Sequence, residues 1–129
     1  MPNISKTCPF CFSLESRVYL ENDQALAILD GFPISEGHSL IIPKRHVSSI
    51  FAIHKNELLD LFNLLADAKT KLTKQFNPDG FNIGINDNEA AGQTINHLHI
   101  HLIPRYKGDQ ADPRGGVRWI LPDKAKYWD

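Results

Sequence analysis

One short segment of the chain, His97-Leu98-His99-Ile100-His101-Leu102-Ile103, alternates histidine with aliphatic residues. Side chains of an extended strand point to opposite faces with a period of two, so the alternation predicts a β-strand. One face is expected to carry the aliphatic side chains into a core. The other is expected to carry three imidazoles spaced roughly 6.6 Å apart. A core gains nothing from imidazoles that must all find hydrogen-bond partners, so we interpret this row as a site for chemistry.

The surrounding sequence predicts an α+β fold, an antiparallel sheet of about five strands with one long helix and a short one. Strands are expected at residues 17–21, 25–29, 39–42, 81–86 and 95–104. The long helix is expected from about Lys55 to Phe76 and is ended by Asn77-Pro78-Asp79-Gly80. Its apolar residues recur at spacings of three and four, which is typical of an amphipathic helix. The predicted buried stripe comprises Leu58, Phe62, Leu65, Lys69, Leu72 and Phe76.

Length and charge limit the classes of protein that the chain can represent. Its 129 residues suit a single domain, with a core over residues 8–106 and an irregular tail over 107–129. The 14 basic and 15 acidic residues give a net charge of −1, which argues against a nucleic-acid partner. The sequence contains no apolar run typical of a membrane span and no pattern of a secretory signal. We therefore expect a cytoplasmic protein without a membrane partner.

The only two cysteines form the motif Cys8-Pro9-Phe10-Cys11. In a reducing compartment such a pair indicates a metal clip or free thiols rather than a structural disulfide. A closed structural zinc site needs four ligands, so the motif requires two further ligands from elsewhere in the chain.

Several ordered motifs resemble one family of proteins. Residues 97–103 match the signature of the histidine triad family, in which three histidines alternate with aliphatic residues. Gly92-Gln93-Thr94 before this segment, Pro104-Arg105 after it and residues 37–46 upstream resemble the family pattern in the same order. The resemblance covers roughly residues 8–106. It implies an antiparallel sheet flanked by helices, a homodimer, and hydrolysis or transfer at the α-phosphorus of a purine nucleotide.

Histidine is suited to attack on phosphorus because an imidazole with a pKa near 6.5 is unprotonated at neutral pH. The resemblance assigns His99 as the nucleophile, which would form a nucleotidyl-histidine intermediate. We expect its other ring nitrogen to donate its proton to a backbone carbonyl. His101 is expected to contact the phosphate or the leaving group, and His38 to support the triad side chains.

The resemblance also implies a substrate-binding set and a metal site. The substrate-binding positions are Asp30, Asn86, Gln93, Thr94 and Arg105, with Asp30 expected on the ribose hydroxyls. No carboxylate cluster typical of magnesium is present, so we expect the chemistry to require no cofactor. A structural zinc ion is expected on Cys8, Cys11, His46 and His97, whereas His54 fits neither site and is expected at the surface.

Three functions are compatible with these motifs. Pro104-Arg105 resembles the fragile histidine triad branch, which cleaves dinucleoside polyphosphates, whereas the phosphoramidase branch usually has glycines there. The alternatives are a nucleoside phosphoramidase and a zinc-stabilised nucleotide-binding module with negligible turnover. Uridylyl transfer to galactose 1-phosphate is excluded, because Ile100 replaces the proline of that motif and no glutamine follows His101 at the required spacing.

The tail after Tyr106 allows two interpretations. Arg114 and Arg118, which lie beside glycines, could close over a polyphosphate. Alternatively, the tail packs through the large apolar side chains of Trp119, Tyr127 and Trp128.

Overall fold

The chain folds around one antiparallel sheet, as a computed structural model that describes residues 7–12 and 14–129 shows. The strands are β1 (Val18–Glu21), β2 (Ala25–Leu29), β3 (Ser39–Pro43), β4 (Gly80–Ile85) and β5 (Ile100–Arg105). Their order across the sheet is β1-β2-β3-β5-β4, and every neighbouring pair is antiparallel. The helices are α1 (Lys55–Phe76) and the short α2 (Pro122–Ala125). Single 3₁₀ turns span Ile50–Ala52, Glu89–Ala91 and Gly116–Ile120. The predicted α+β fold is confirmed.

Helix α1 has the bounds that its sequence predicts, because both of its ends are marked locally. At its start the buried carboxylate of Glu57 accepts the backbone N–H of His54 at 2.9 Å. At its end Asn77 adopts the left-handed conformation, with φ of 50°, and its N–H donates to the Thr73 carbonyl at 3.0 Å. Pro78 follows and cannot continue the helix.

The buried face of α1 differs from the predicted stripe. Phe62 remains 51% exposed, whereas Leu61 and Leu64 are almost fully buried. The buried side chains are Glu57, Leu61, Leu64, Leu65, Ala68 and Leu72. The prediction is confirmed for Leu65 and Leu72 and is wrong for Phe62 and Lys69, whose ammonium group would be costly to bury. The small Ala68 faces the sheet in place of Lys69, against the equally small Ala25 and Ala27 of β2.

The two faces of the sheet are covered differently. Helix α1 covers one face and packs against Ile41, Ile100 and Leu102. On the other face an N-terminal segment containing Cys8, Phe10 and Leu14 forms a second apolar cluster, whose sheet residues are Ile28, Leu40 and Ile42. This segment covers the part of the sheet around β2 and β3.

Strand β5 begins later than the predicted position 95, because residues 95–99 lie outside the ladder. The register pairs Ile41 of β3 with Ile100. If the ladder continued, Pro43 would pair with Leu98. Proline has no N–H to donate to the ladder, and its carbonyl accepts from the His97 ring at 2.8 Å. The Leu98 N–H instead donates to the Val47 carbonyl at 2.7 Å. The alternation of faces survives, since Leu98 still enters the α1 core.

The tail is more ordered than predicted, since it contains the Gly116–Ile120 turn and helix α2. No helix in the described part of the chain is long and apolar enough to cross a membrane.

Candidate active site and metal cluster

A cavity of about 840 Å³ lies over the histidine face of the sheet, on the side opposite α1. This volume is in the upper part of the range of about 300–1,000 Å³ that is usual for small-molecule sites. Six of the predicted site residues line it: Asp30, His38, Asn86, Thr94, His99 and His101.

The tautomer of His99 is set by the backbone. Its Nδ1 lies 2.8 Å from the carbonyl oxygen of His97. A carbonyl can only accept, so Nδ1 carries the proton and Nε2 keeps its lone pair. The ring packs edge-on against Phe10 and His101, with centroid distances of 5.2 and 5.3 Å. The carbonyl partner expected from the sequence is therefore present, and Nε2 is left with the lone pair that a nucleophile requires.

A second chain of hydrogen bonds fixes His38 and His101. The Ile34 N–H donates to Nδ1 of His38 at 3.2 Å, so His38 carries its proton on Nε2. That proton is directed at Nδ1 of His101, 3.0 Å away, with Oδ2 of Asp30 at 3.3 Å as a second acceptor. Since Nδ1 of His101 accepts, its own proton is on Nε2. The two neighbouring imidazoles thus offer one lone pair, on His99, and one N–H donor, on His101.

Burial keeps this pair of histidines neutral. The pKa of His38 is lowered from its ordinary value because burial disfavours the imidazolium, although the Asp30 carboxylate opposes the change. Burial likewise lowers the pKa of His101, and positive charge on His99 or His38 would lower it further. Neutral imidazoles preserve the donor and acceptor pattern described above.

Asp30 has a larger role in the geometry than the sequence indicated. Its Oδ1 accepts the Phe32 N–H at 2.8 Å, while Oδ2 faces His38 and lies 4.0 Å from Nδ1 of His101. Asp30, His38 and His101 are also close enough together to hold a metal ion, although they already interact with one another. The aspartate spacing before His38 gave no indication of this contact.

Two predicted substrate-binding residues do not line the cavity. The Gln93 amide donates to the carbonyls of Ser48 and Ile95 and accepts the Asn88 N–H, so it orders its own loop. Arg105 makes two 2.8 Å hydrogen bonds to Asp109 and lines a neighbouring groove.

Other residues of the cavity gave no signal in the sequence as site residues. Phe10 packs on His99, and Asn82 and Gly84 of β4 lie beside the histidine strand. The register pairs Gly84 with His101 and Asn82 with Ile103, so these positions share one face of the sheet. The C-terminal turn also contributes to the wall, through Gly116, Val117, Trp119 and Ile120. Asn82 and Gly84 can be recognised as cavity residues only from the pairing of β4 with β5 in the folded chain.

The four predicted metal ligands, Cys8, Cys11, His46 and His97, lie together, with ligand atoms all within 4.8 Å of one another. Nδ1 of His97 lies 3.5 Å from the Cys8 sulfur, 3.6 Å from the Cys11 sulfur and 3.2 Å from Nδ1 of His46. The Cys11 sulfur lies 3.4 Å from Nδ1 of His46. Bond lengths of about 2.0–2.1 Å to nitrogen and 2.3 Å to sulfur give tetrahedral edges of roughly 3.3–3.8 Å, so the set fits zinc.

His97 connects this cluster to the candidate nucleophile. Its Nε2–H donates to the Pro43 carbonyl, which directs the Nδ1 lone pair at the cysteines. Its carbonyl oxygen accepts the Nδ1–H of His99. Phe10, from within the cysteine motif, packs edge-on against both imidazoles, at 5.9 Å from His97 and 5.2 Å from His99.

Comparison with known proteins gives the class of this chain. The family model described as the HIT domain matches residues 12–108. The bis(5'-nucleosyl)-tetraphosphatase [asymmetrical] of Schizosaccharomyces pombe is 38% identical over 98 residues, which cover 76% of this chain and 54% of that protein. The chain therefore belongs to the HIT, or histidine triad, family.

Solved structures agree with this assignment. A HIT family protein from Bacillus anthracis superposes with a TM-score of 0.75 at 35% identity, covering 82% of this chain and 78% of that one. A Zn-bound histidine triad family protein from Mycobacterium smegmatis gives a TM-score of 0.72 at 32% identity, covering 82% and 80%.

Proposed function

We propose that the protein is a nucleotide hydrolase that acts at the α-phosphorus of dinucleoside polyphosphates or related AMP derivatives. The observation that carries the proposal is the hydrogen bond from Nδ1 of His99 to the His97 carbonyl, because it leaves Nε2 as a nucleophile beside the N–H of His101. The tetraphosphatase relative supports the substrate class.

The proposed reaction has two steps. Nε2 of His99 attacks the α-phosphorus, a P–N bond forms, and the P–O bond to the remaining polyphosphate breaks. The Nε2–H of His101 donates a hydrogen bond to the departing oxygen, which holds its negative charge without needing a proton. Water then attacks the nucleotidyl-histidine, the P–N bond breaks, and the water proton is released to solvent.

The phosphoramidase alternative differs in its need for a proton. An amine leaving group must be protonated as the P–N bond breaks, whereas a polyphosphate leaves as a stable anion. Burial lowers the pKa of His101 and so disfavours the imidazolium that would supply such a proton. The relative rates on an anhydride and a phosphoramidate substrate therefore distinguish the two alternatives.

The proposal includes the roles of the surrounding residues. Asp30 is placed on the ribose hydroxyls, and Asn86 and Thr94 contact the phosphate region from the cavity wall. Gln93 acts by holding its loop, and Arg105 would act on a phosphate only at the adjacent groove. Cys8, Cys11, His46 and His97 would hold a structural zinc ion that joins the N-terminal segment to the loop before β5.

The direct test compares AMP release from diadenosine tetraphosphate and from adenosine 5′-phosphoramidate. We expect wild type to cleave the former faster, and His99→Ala to lose at least roughly 10³-fold in rate. Acid quenching of the wild-type reaction should trap an AMP adduct on the chain. His54→Ala, at an exposed histidine outside both clusters, is the matched control and should keep full activity.

The outcomes separate the three functions. Faster cleavage of the phosphoramidate would favour the phosphoramidase. Nucleotide binding without cleavage of either compound would favour the binding module, and an active His99→Ala variant would exclude His99 as the nucleophile.

A further inference from the structure

The C-terminal segment, residues 114–128, folds over the end of the cavity beside the edge strand β4. We call it the C-terminal cap. Gly116, with φ of 47°, approaches the sheet so closely that an added Cβ would lie 3.3 Å from Nδ2 of Asn82. All of this cap lies beyond the region of residues 12–108 that the family model matches.

The arginines of the cap interact with the cap itself and with the adjacent Asp112. Arg114 pairs with Asp112 at 3.0 Å and lies over the Trp128 ring at 4.5 Å. Arg118 donates to the carbonyls of Ala125 and Lys124, each at 2.8 Å. Its guanidinium lies over the Tyr127 ring at 4.7 Å. These contacts favour the packing role over closure of the two guanidinium groups on a polyphosphate.

The surface that the cap presents to the cavity is instead apolar. Val117, Trp119 and Ile120 all line the cavity and are 61%, 42% and 81% exposed. The indole N–H of Trp119 donates to the Arg114 carbonyl at 2.8 Å, which fixes the ring within the cap. Exposed apolar side chains grouped at a cavity are typical of a surface that receives an apolar or aromatic group.

The cap lies across the sheet from Asp30. Asp30 follows β2, and β3 and β5 separate β2 from β4, where the cap packs. His101 lies between them on β5. A nucleotide whose ribose contacts Asp30 and whose α-phosphorus lies at the histidines would therefore extend its leaving group toward β4 and the cap.

We infer that Val117, Trp119 and Ile120 form a subsite for the second nucleoside base of a dinucleoside polyphosphate. The inference rests on the proposed function, because that function places the first nucleoside at Asp30. A purine base presents a flat π face that stacks on aromatic and apolar side chains. The subsite thus selects substrates with a base on the leaving group.

The test measures binding to the full chain in a His99→Ala background, which prevents turnover. The two ligands are diadenosine tetraphosphate and adenosine 5′-tetraphosphate, which differ by the second adenosine. We expect the double substitution Val117→Ser with Ile120→Ser to weaken binding of the former by roughly fivefold or more. Binding of adenosine 5′-tetraphosphate should change less than twofold. Leu121→Ser is the matched control, since Leu121 is 64% exposed in the same segment but does not line the cavity.

The results separate a failed subsite from a failed function. Equal weakening of both ligands, or no change in either, would overturn the subsite while leaving the proposed function in place. If neither ligand binds before the cap is altered, the proposed function falls and the subsite falls with it. A thermal unfolding curve for each variant verifies that the cap substitutions leave the fold intact.

Discussion

At the scale of single residues, backbone groups determine the chemistry of this site. The His97 carbonyl fixes the proton of His99, the Ile34 N–H fixes that of His38, and the Pro43 carbonyl fixes that of His97. Each imidazole therefore presents a defined nitrogen to its neighbour. Main-chain partners thus set the tautomers of His97, His99 and His38, and the Nε2–H of His38 in turn sets that of His101.

The lowered pKa values of His38 and His101 predict a pH dependence of stability. In the unfolded chain both imidazoles take up protons near pH 6.5, whereas in the folded chain they do so only at lower pH. The unfolded state thus binds more protons in that window, so the free energy of unfolding falls as the pH is lowered through it. Chemical denaturation between pH 5 and 7 should show a steeper loss for wild type than for the variant His38→Gln with His101→Gln.

The comparison is informative because the other titrating groups, including the cysteine cluster, are the same in both proteins. The contributions of groups that do not contact these two histidines cancel in the difference between the two slopes. Equal slopes for wild type and variant would show that these two imidazoles titrate normally in the folded chain.

At the scale of elements, α1 and the segment before it are joined by an ion pair that the sequence did not reveal. Glu57, which is 2% exposed, accepts two hydrogen bonds from Arg45 at 2.8 and 2.9 Å. This contact lowers the pKa of Glu57, and burial opposes it. Arg45 immediately precedes His46, so the pair connects the start of α1 to the metal cluster.

The orientation of α1 predicts which of its apolar residues stabilise the fold. Leu64→Ala should reduce the free energy of unfolding by about 2–5 kcal/mol, because the Leu64 side chain is 1% exposed in the core. Phe62→Ala, two positions away and 51% exposed, should cost much less. Urea denaturation of both variants checks the assignment, and a larger loss for Phe62→Ala would restore the stripe predicted from the sequence.

The metal cluster predicts a link between zinc content and the nucleophile. If the cluster holds zinc as proposed, Cys8→Ser removes one of its four ligands, so metal analysis should find less than one zinc per chain and thermal unfolding should shift downward. Because the His97 carbonyl holds His99, we also expect kcat for AMP release to fall more than KM rises. Chelation of wild type followed by addition of zinc should reproduce and then reverse the loss. Wild type isolated without bound metal and still fully active would contradict this prediction.

At the scale of the whole molecule, one face of the sheet is covered by α1, whereas the other is covered in part by the N-terminal segment and otherwise borders the cavity. Among the described strands, β1 and β4 are the edges of the sheet. Exposed edges carry unpaired backbone groups that can pair with a second copy.

The family resemblance predicts that two copies join into a homodimer. We expect sedimentation velocity at micromolar concentration to give a particle of twice the chain mass. The Leu59 and Phe62 side chains, 63% and 51% exposed on α1, offer a further apolar surface. A single monomeric species at that concentration would contradict the dimer.

The sequence by itself determined the elements and the two histidine sets. Periodicity located α1 within its true bounds and four of the strands to within about a residue, since the period of side-chain exposure is a local property of each element. The family resemblance likewise predicted the four residues that lie together as a candidate metal site and the histidines that line the cavity.

Only the tertiary structure decided how these elements face one another. It chose Leu61 and Leu64 over Phe62 for the core, separated Arg105 from the cavity, and placed the C-terminal cap beside Asn82 of β4. Each of these outcomes depends on the packing of segments that are distant in sequence, where the burial of charge and the fit of side chains act together. Local patterns contain no record of those distant partners.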